Sequence, residues 1–284
     1  MNLYSRLGVT QPFDSAHKHV TSPVVSAPVL ASLRFLLAFY TLFTLLLTLI
    51  WNSVRDHSGQ SYFSYFTHLS YIGLCAYFFA SGVQTFAFAR SLRPAGGAGS
   101  TASYPLQRWP RPLQFLHVLL QLTITTFPIV VTIVFWILLA TPEIFNQAIT
   151  SWSNISVHLL NTAFGLAEVF FTDIPPAPWL TLPMGILVLA CYLGVAYITH
   201  DTQGFYPYSF LNPHKQKALL AAYIVGIAVG YCIIFLFVRL LIILRIRIVA
   251  WSRARRGAGS SADSEAIEDW EEVERPSKDA VRIV

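Results

Sequence analysis

The sequence predicts an all-α, polytopic integral-membrane helix bundle of about six transmembrane helices, with both termini cytoplasmic. Three observations predict it. Of the 284 residues, 55% are hydrophobic and only 12% charged, with a mean hydropathy of +0.55, which is too apolar for a soluble domain of this length. The hydrophobic residues gather into runs that can cross a hydrocarbon core of roughly 30 Å, for which about 20 helical residues suffice. Lys and Arg are concentrated in alternate connections between those runs, as the positive-inside rule requires.

The runs cover approximately 29–51, 62–88, 113–140, 152–171, 179–200 and 218–248. Residues 1–28 hold Arg6, Asp14, His17 and Lys18 and precede any hydrophobic run, so they are expected to be a cytoplasmic segment rather than a cleavable leader. The first run has one charge, Arg34, near its start. Its long side chain is expected to snorkel to the headgroups, making this helix a plain anchor. The second run is followed by a flexible basic loop over 89–112, with Arg90, Arg93, Arg108, Arg111 and several glycines and prolines. The third contains Pro128, which removes a helical hydrogen bond and is expected to bend the helix, and His117, an expected packing residue near the helix end.

The fourth run is the least apolar, and Asn154-Ile155-Ser156 at its start sits too close to the membrane to be a glycosylation acceptor. The fifth leads into an aromatic and polar connection, His200-Asp201-Thr202-Gln203-Gly204-Phe205-Tyr206-Pro207-Tyr208-Ser209-Phe210-Leu211, of the kind that lines sites. The sixth holds Gly226 and Gly230, a GxxxG expected to serve close helix packing. With the N-terminus inside, eleven Lys and Arg face the cytoplasm (Arg6, Lys18, the four loop arginines, Arg245, Arg247, Arg253, Arg255 and Arg256), against Arg55, Lys215 and Lys217 outside. The transmembrane domain therefore spans 29–248, and 249–284 is a basic-then-acidic tail. Its last 28 residues, from Gly257, hold eight acids and three bases and are expected to be disordered.

Two polar stripes interrupt the apolar helices. Ser64, Thr67, His68 and Tyr71 fall at i, i+3, i+4 and i+7; Asn154, His158, Asn161, Gly165 and Glu168 step by 4, 3, 4 and 3. Such faces must meet protein, because polar groups facing hydrocarbon are costly. In the expected topology Thr67 and His158 lie at one depth, roughly 8–9 Å below the outer boundary, with His200 and Asp201 near the same layer and Glu168 about 15 Å deeper. A threonine hydroxyl becomes a nucleophile beside a base, which neutral histidine supplies. The pattern leaves two readings open: Thr67 and His158 form a catalytic pair, or they tie two helices together. Cys75, Cys191 and Cys232 are far apart, and neither CxxC nor HxxxH occurs, so no metal, cofactor or disulfide is expected. No internal repeat suggests a transporter.

Phe66-Thr67, Phe127-Pro128 with Phe135-Trp136, Trp152-x-Asn154-x-x-x-His158 with Glu168 ten residues on, and Tyr206-Pro207-Tyr208-Ser209-Phe210-Leu211 together resemble the androgen-induced membrane protein family over roughly residues 30–250. The resemblance implies a multi-pass threonine hydrolase that cleaves fatty acid esters of hydroxy fatty acids in an endoplasmic reticulum or other endomembrane. It also implies Thr67 as nucleophile, His158 as general base and a lipid substrate arriving from the bilayer. Asn154 is then a candidate oxyanion donor, and His200 or Asp201 a candidate to orient the base. Animal relatives carry a histidine after the asparagine and threonines after the catalytic histidine, where this chain has Ile155, Leu159 and Leu160, a departure that bears on substrate range.

Overall fold

A computed structural model describes residues 3–92 and 102–274, with side chains described through Arg255. Its long elements are α1 (Ala27–Val54), α2 (Phe66–Ser91), α3 (Arg111–Val134), α4 (Ala148–Ile155), α5 (Asn161–Phe171), α6 (Leu182–Gln203) and α7 (Leu219–Glu274). Two π-helical turns interrupt the regular winding: Phe135–Leu139 extends α3, and Ser156–Leu160 joins α4 to α5. No strand occurs among the described residues. Residues 1–242 form one compact unit and 243–284 a second.

Among the described residues five helices are long and apolar enough to cross a membrane: Ala27–Val54, Phe66–Ser91, Arg111–Leu139, Trp179–Gln203 and Leu219–Arg255. The expected fourth span is not one of them. Residues 148–171 are helical throughout, but Asn154, His158, Asn161 and Glu168 dilute their apolar character. Their partners are protein: Ser156, His158, Asn161, Gly165 and Glu168 are buried. Gly165 makes the closest approach to α3, where a Cβ would stand 2.5 Å from the Ile124 carbonyl oxygen. Pro128, having no N–H, cannot donate to that carbonyl within the helix. The proline thus exposes a backbone oxygen and the glycine lets α5 lie against it.

The core is built where α1, α2 and α3 meet, around Ala38, Tyr71, Leu74, Tyr77, Phe78, Ile124 and Val157. A second cluster joins Phe127, Val130, Val169, Tyr231 and Ile234. Gly185 admits the Tyr231 ring, since a Cβ there would overlap its hydroxyl. Gly226 and Gly230 have open space where a Cβ would stand, so within this chain close packing falls to Gly165 and Gly185 rather than to the GxxxG.

Residues 3–26 are not a loose extension. Val9, Phe13 and Val20 are buried with Phe88, Tyr104, Leu106 and Val118. Asp14 accepts hydrogen bonds from the backbone N–H of Lys18 (2.8 Å) and His19 (3.0 Å) and from the Tyr104 hydroxyl (2.5 Å). Burial and the Asp14 carboxylate push the Tyr104 phenol above its ordinary range. Part of the basic loop is therefore fixed in place, with Leu106 N–H bonded to Gln84 at 2.9 Å; its glycine-rich centre, 93–101, lies outside the described residues. The backbone of the acidic tail is helical to Glu274, where disorder from Gly257 was expected. Extending an existing helix adds one bond per residue without a new nucleus, and Ala and Glu favour it. Residues 275–284 lie outside the described residues.

Candidate functional site

Thr67 occupies the first turn of α2. The chain enters through a 3₁₀ helix, Gly59–Ser64, and Tyr65 caps α2 in an extended conformation without a side-chain hydrogen bond. First-turn N–H groups have no partner inside their own helix, and that of Thr67 points to the Tyr208 hydroxyl oxygen at 3.4 Å. The Thr67 hydroxyl is the same 3.4 Å from it. Tyr208 reaches this point because Gly204 ends α6 in the left-handed conformation (φ 78°), which turns the chain back over the bundle. Its ring stacks on Phe210, centroids 5.2 Å apart, and meets the edge of Tyr65 at 5.9 Å. From α6, Tyr192 donates to the Ser64 carbonyl (3.0 Å) and Thr199 to the Ser64 hydroxyl (3.1 Å). The stripe on this stretch divides: Ser64, Thr67 and Tyr71 are buried, while His68 stacks on Tyr62 at 3.8 Å and bonds its carbonyl through Nδ1 at 2.7 Å.

Thr67 and Tyr208 line a cavity of about 190 Å³. Val134 and Phe135, Leu189 and Leu193, and Ile227 and Ala228 supply much of the remaining wall. An apolar chamber with a few converging hydroxyls suits an apolar ligand with one polar group to be held.

His158 lies in the Ser156–Leu160 π turn and is 8% exposed. The π turn adds a residue to the winding, and the His158 carbonyl accepts from the Thr132 hydroxyl at 2.6 Å. Its ring stacks on Phe135, the first residue of the other π turn, with centroids 3.5 Å apart and planes 4° from parallel. Nδ1 is buried without a hydrogen-bond partner. Thr67 and His158 are not hydrogen-bonded to each other; Phe135 links them, touching His158 and forming part of the cavity wall that includes Thr67.

The sequence matches the FAR-17a/AIG1-like protein family over residues 28–241. The chain belongs to that family. No curated protein and no solved structure matches it.

In this FAR-17a/AIG1-like protein the remaining candidates are dispersed. Asn154, half-buried, donates its amide to the Thr150 carbonyl of its own helix at 2.9 Å. His200 stacks on Tyr206 at 4.0 Å, and Asp201 is exposed; neither is bonded to His158. Thr199, one residue earlier, is the α6 side chain that turns inward.

Glu168 belongs to a second polar cluster. Arg34, which was expected to snorkel, is 1% exposed and forms a buried ion pair with Glu168. The Tyr77 hydroxyl donates to the same carboxylate at 2.7 Å. Arg34 also donates to the His19 carbonyl (2.9 Å) and to the Thr85 hydroxyl. A guanidinium inside an apolar bundle needs a carboxylate more than it needs the headgroups, and α5 supplies one. The expected packing role of His117 holds: its ring stacks on Tyr77 at 5.6 Å and meets His19 edge-on at 5.7 Å. Sequence reasoning missed Tyr208 and Phe135 as individual site residues. The density of aromatics in the loop after α6 was the signal for the first; Phe135-Trp136 stood in the sequence as part of the family resemblance, but nothing local gave Phe135 its place between His158 and the cavity.

Proposed function

We propose that this chain is a membrane-embedded hydrolase of lipid esters, with Thr67 as nucleophile and His158 as general base. Family membership supports fatty acid esters of hydroxy fatty acids as the substrate class. The observation that carries the reading is the Thr67 hydroxyl on the wall of an apolar cavity, with a buried histidine, its Nδ1 without a hydrogen-bond partner, stacked against Phe135 of that wall. The cavity would hold an acyl chain and bring its ester to Thr67. His158 takes the hydroxyl proton as the threonine oxygen bonds to the carbonyl carbon and the C=O pair moves to oxygen. Collapse expels the alkoxide, which takes the proton from His158. Water then attacks the acyl-threonine, its proton passing through His158 to the departing Thr67 oxygen. Catalytic hydrogen bonds are often long before substrate binds, so the missing Thr67–His158 bond is one that substrate would complete. The proposed setting is a six-pass protein with both termini cytoplasmic, supported by the Lys and Arg distribution and by the helical run over 148–171; its placement in the endoplasmic reticulum or another endomembrane rests on family membership alone.

A non-catalytic lipid-binding or regulatory role is the second reading, favoured by the contact of Thr67 with Tyr208 rather than with a base. Purified protein treated with a fluorophosphonate and assayed on an ester of a hydroxy fatty acid separates the two. Labelling and turnover that vanish in Thr67→Ala and His158→Ala are expected. A well-folded, unlabelled and inactive wild type would leave the binding role.

A further inference from the structure

An ester-cleaving site needs a donor aimed at the oxygen on which negative charge develops. Asn154, the candidate in the sequence, uses its amide on its own helix. Two other groups converge beside the Thr67 oxygen: the Tyr208 hydroxyl at 3.4 Å, and the N-terminus of α2, where the Thr67 N–H lies 3.4 Å from that hydroxyl. The carbonyl oxygen of a tetrahedral adduct on Thr67 is attached to the carbon bonded to Oγ1. A donor somewhat over 3 Å from Oγ1 on the cavity side is thus within reach of that oxygen, at roughly the 2.7–3.1 Å an oxyanion requires. Both Thr67 and Tyr208 line the cavity. The ring is held on two sides, by the Phe210 stack and the Tyr65 edge, so the hydroxyl is aimed before substrate arrives.

Resting on the hydrolase reading above, we propose that Tyr208 is a catalytic residue of this site, its phenol O–H donating to the oxyanion formed when Thr67 attacks the ester carbonyl. The first-turn N–H of Thr67, at the positive end of α2, is directed at the Tyr208 oxygen and polarises the phenol as a donor. When the carbonyl π pair moves to oxygen, the phenol shares its proton without transferring it, and releases the hydrogen bond when the carbonyl re-forms. Burial keeps the phenol above its ordinary value, so it is present as O–H at neutral pH. Its titratable neighbours are Tyr65 and Tyr192.

The test is Tyr208→Phe, which keeps the ring and its stack. With an ester of a hydroxy fatty acid, kcat is expected to fall about 10²–10³-fold, with KM within about twofold and an unchanged melting temperature. Fluorophosphonate labelling of the wild type should map by mass spectrometry to the peptide containing Thr67. If wild type labels there and Tyr208→Phe turns over at the wild-type rate, the Tyr208 assignment is wrong and the hydrolase stands. If wild type neither labels nor turns over, both fail. Should Tyr208→Phe lower the melting temperature, 2,3-difluorotyrosine at 208 decides the matter. By lowering the phenol pKa it moves the alkaline fall of the rate to lower pH if the O–H is required, and an unmoved profile overturns the assignment.

Discussion

Replacing Arg34 with Met tests whether the buried ion pair is an organising contact of the bundle. The substitution keeps an unbranched apolar stem and removes the guanidinium, leaving Glu168, 3% exposed, with only the Tyr77 hydroxyl as a side-chain donor. The His19 carbonyl and the Thr85 hydroxyl lose a donor too. Removing one member of a buried pair costs about 3–5 kcal/mol. At about 2–4 °C per kcal/mol for a chain of this size, the melting temperature in detergent should drop by roughly 6–20 °C. Because Arg34 also holds His19, limited proteolysis should show earlier cleavage within residues 3–26. Glu168→Gln should be comparably damaging, and the double variant should lose less than the sum of the two, with a coupling of roughly 1–3 kcal/mol. A single variant melting within about 2 °C of wild type, or strict additivity, would refute the argument that the two side chains stabilise the bundle as a unit.

Other substitutions probe the packing and the cavity. Gly165→Ala places a methyl against the Ile124 carbonyl, a backbone atom that cannot swing away, and should cost about 1–3 kcal/mol, read as a lower melting temperature. Gly226→Ala and Gly230→Ala meet nothing within 4 Å and should leave monomer stability equal or up by about 1 kcal/mol through helix propensity; a marked loss would mean that these glycines face a partner. Trp in place of Ala190 or Ala228, both on the cavity wall, should cut hydrolysis of long-chain esters at least about tenfold while a small fluorophosphonate still labels Thr67; equal loss of both would indicate a collapsed fold instead. Thr67→Ala, which keeps the backbone N–H and loses only the hydroxyl contact at 3.4 Å, should change stability by about 1 kcal/mol or less while removing activity.

The sequence was most legible where one helix could be read alone. The apolar runs predicted the helices, and the steps from Asn154 to Glu168 correctly placed His158, Asn161 and Glu168 inside the protein. Thr67 could be read as a hydroxyl just inside a helix start. Arg34 was misread because its position near the start of an apolar run is the same for a snorkelling residue as for a paired one. Asn154, on the buried stripe by spacing, is only half-buried, since α4 lies beyond the π turn that resets the winding.

Membrane class, helical fold and the demand that certain polar residues find partners follow from the sequence alone, because hydrophobicity and helical period are sums over neighbouring residues. The identity of those partners was decided by tertiary structure. Arg34 meets Glu168 across 134 residues, and Thr67 meets Tyr208 across 141. A buried polar group states in the sequence that it must be satisfied; which distant group satisfies it depends on how the helices pack, and here a proline-exposed carbonyl, a glycine against it and two π turns set that packing.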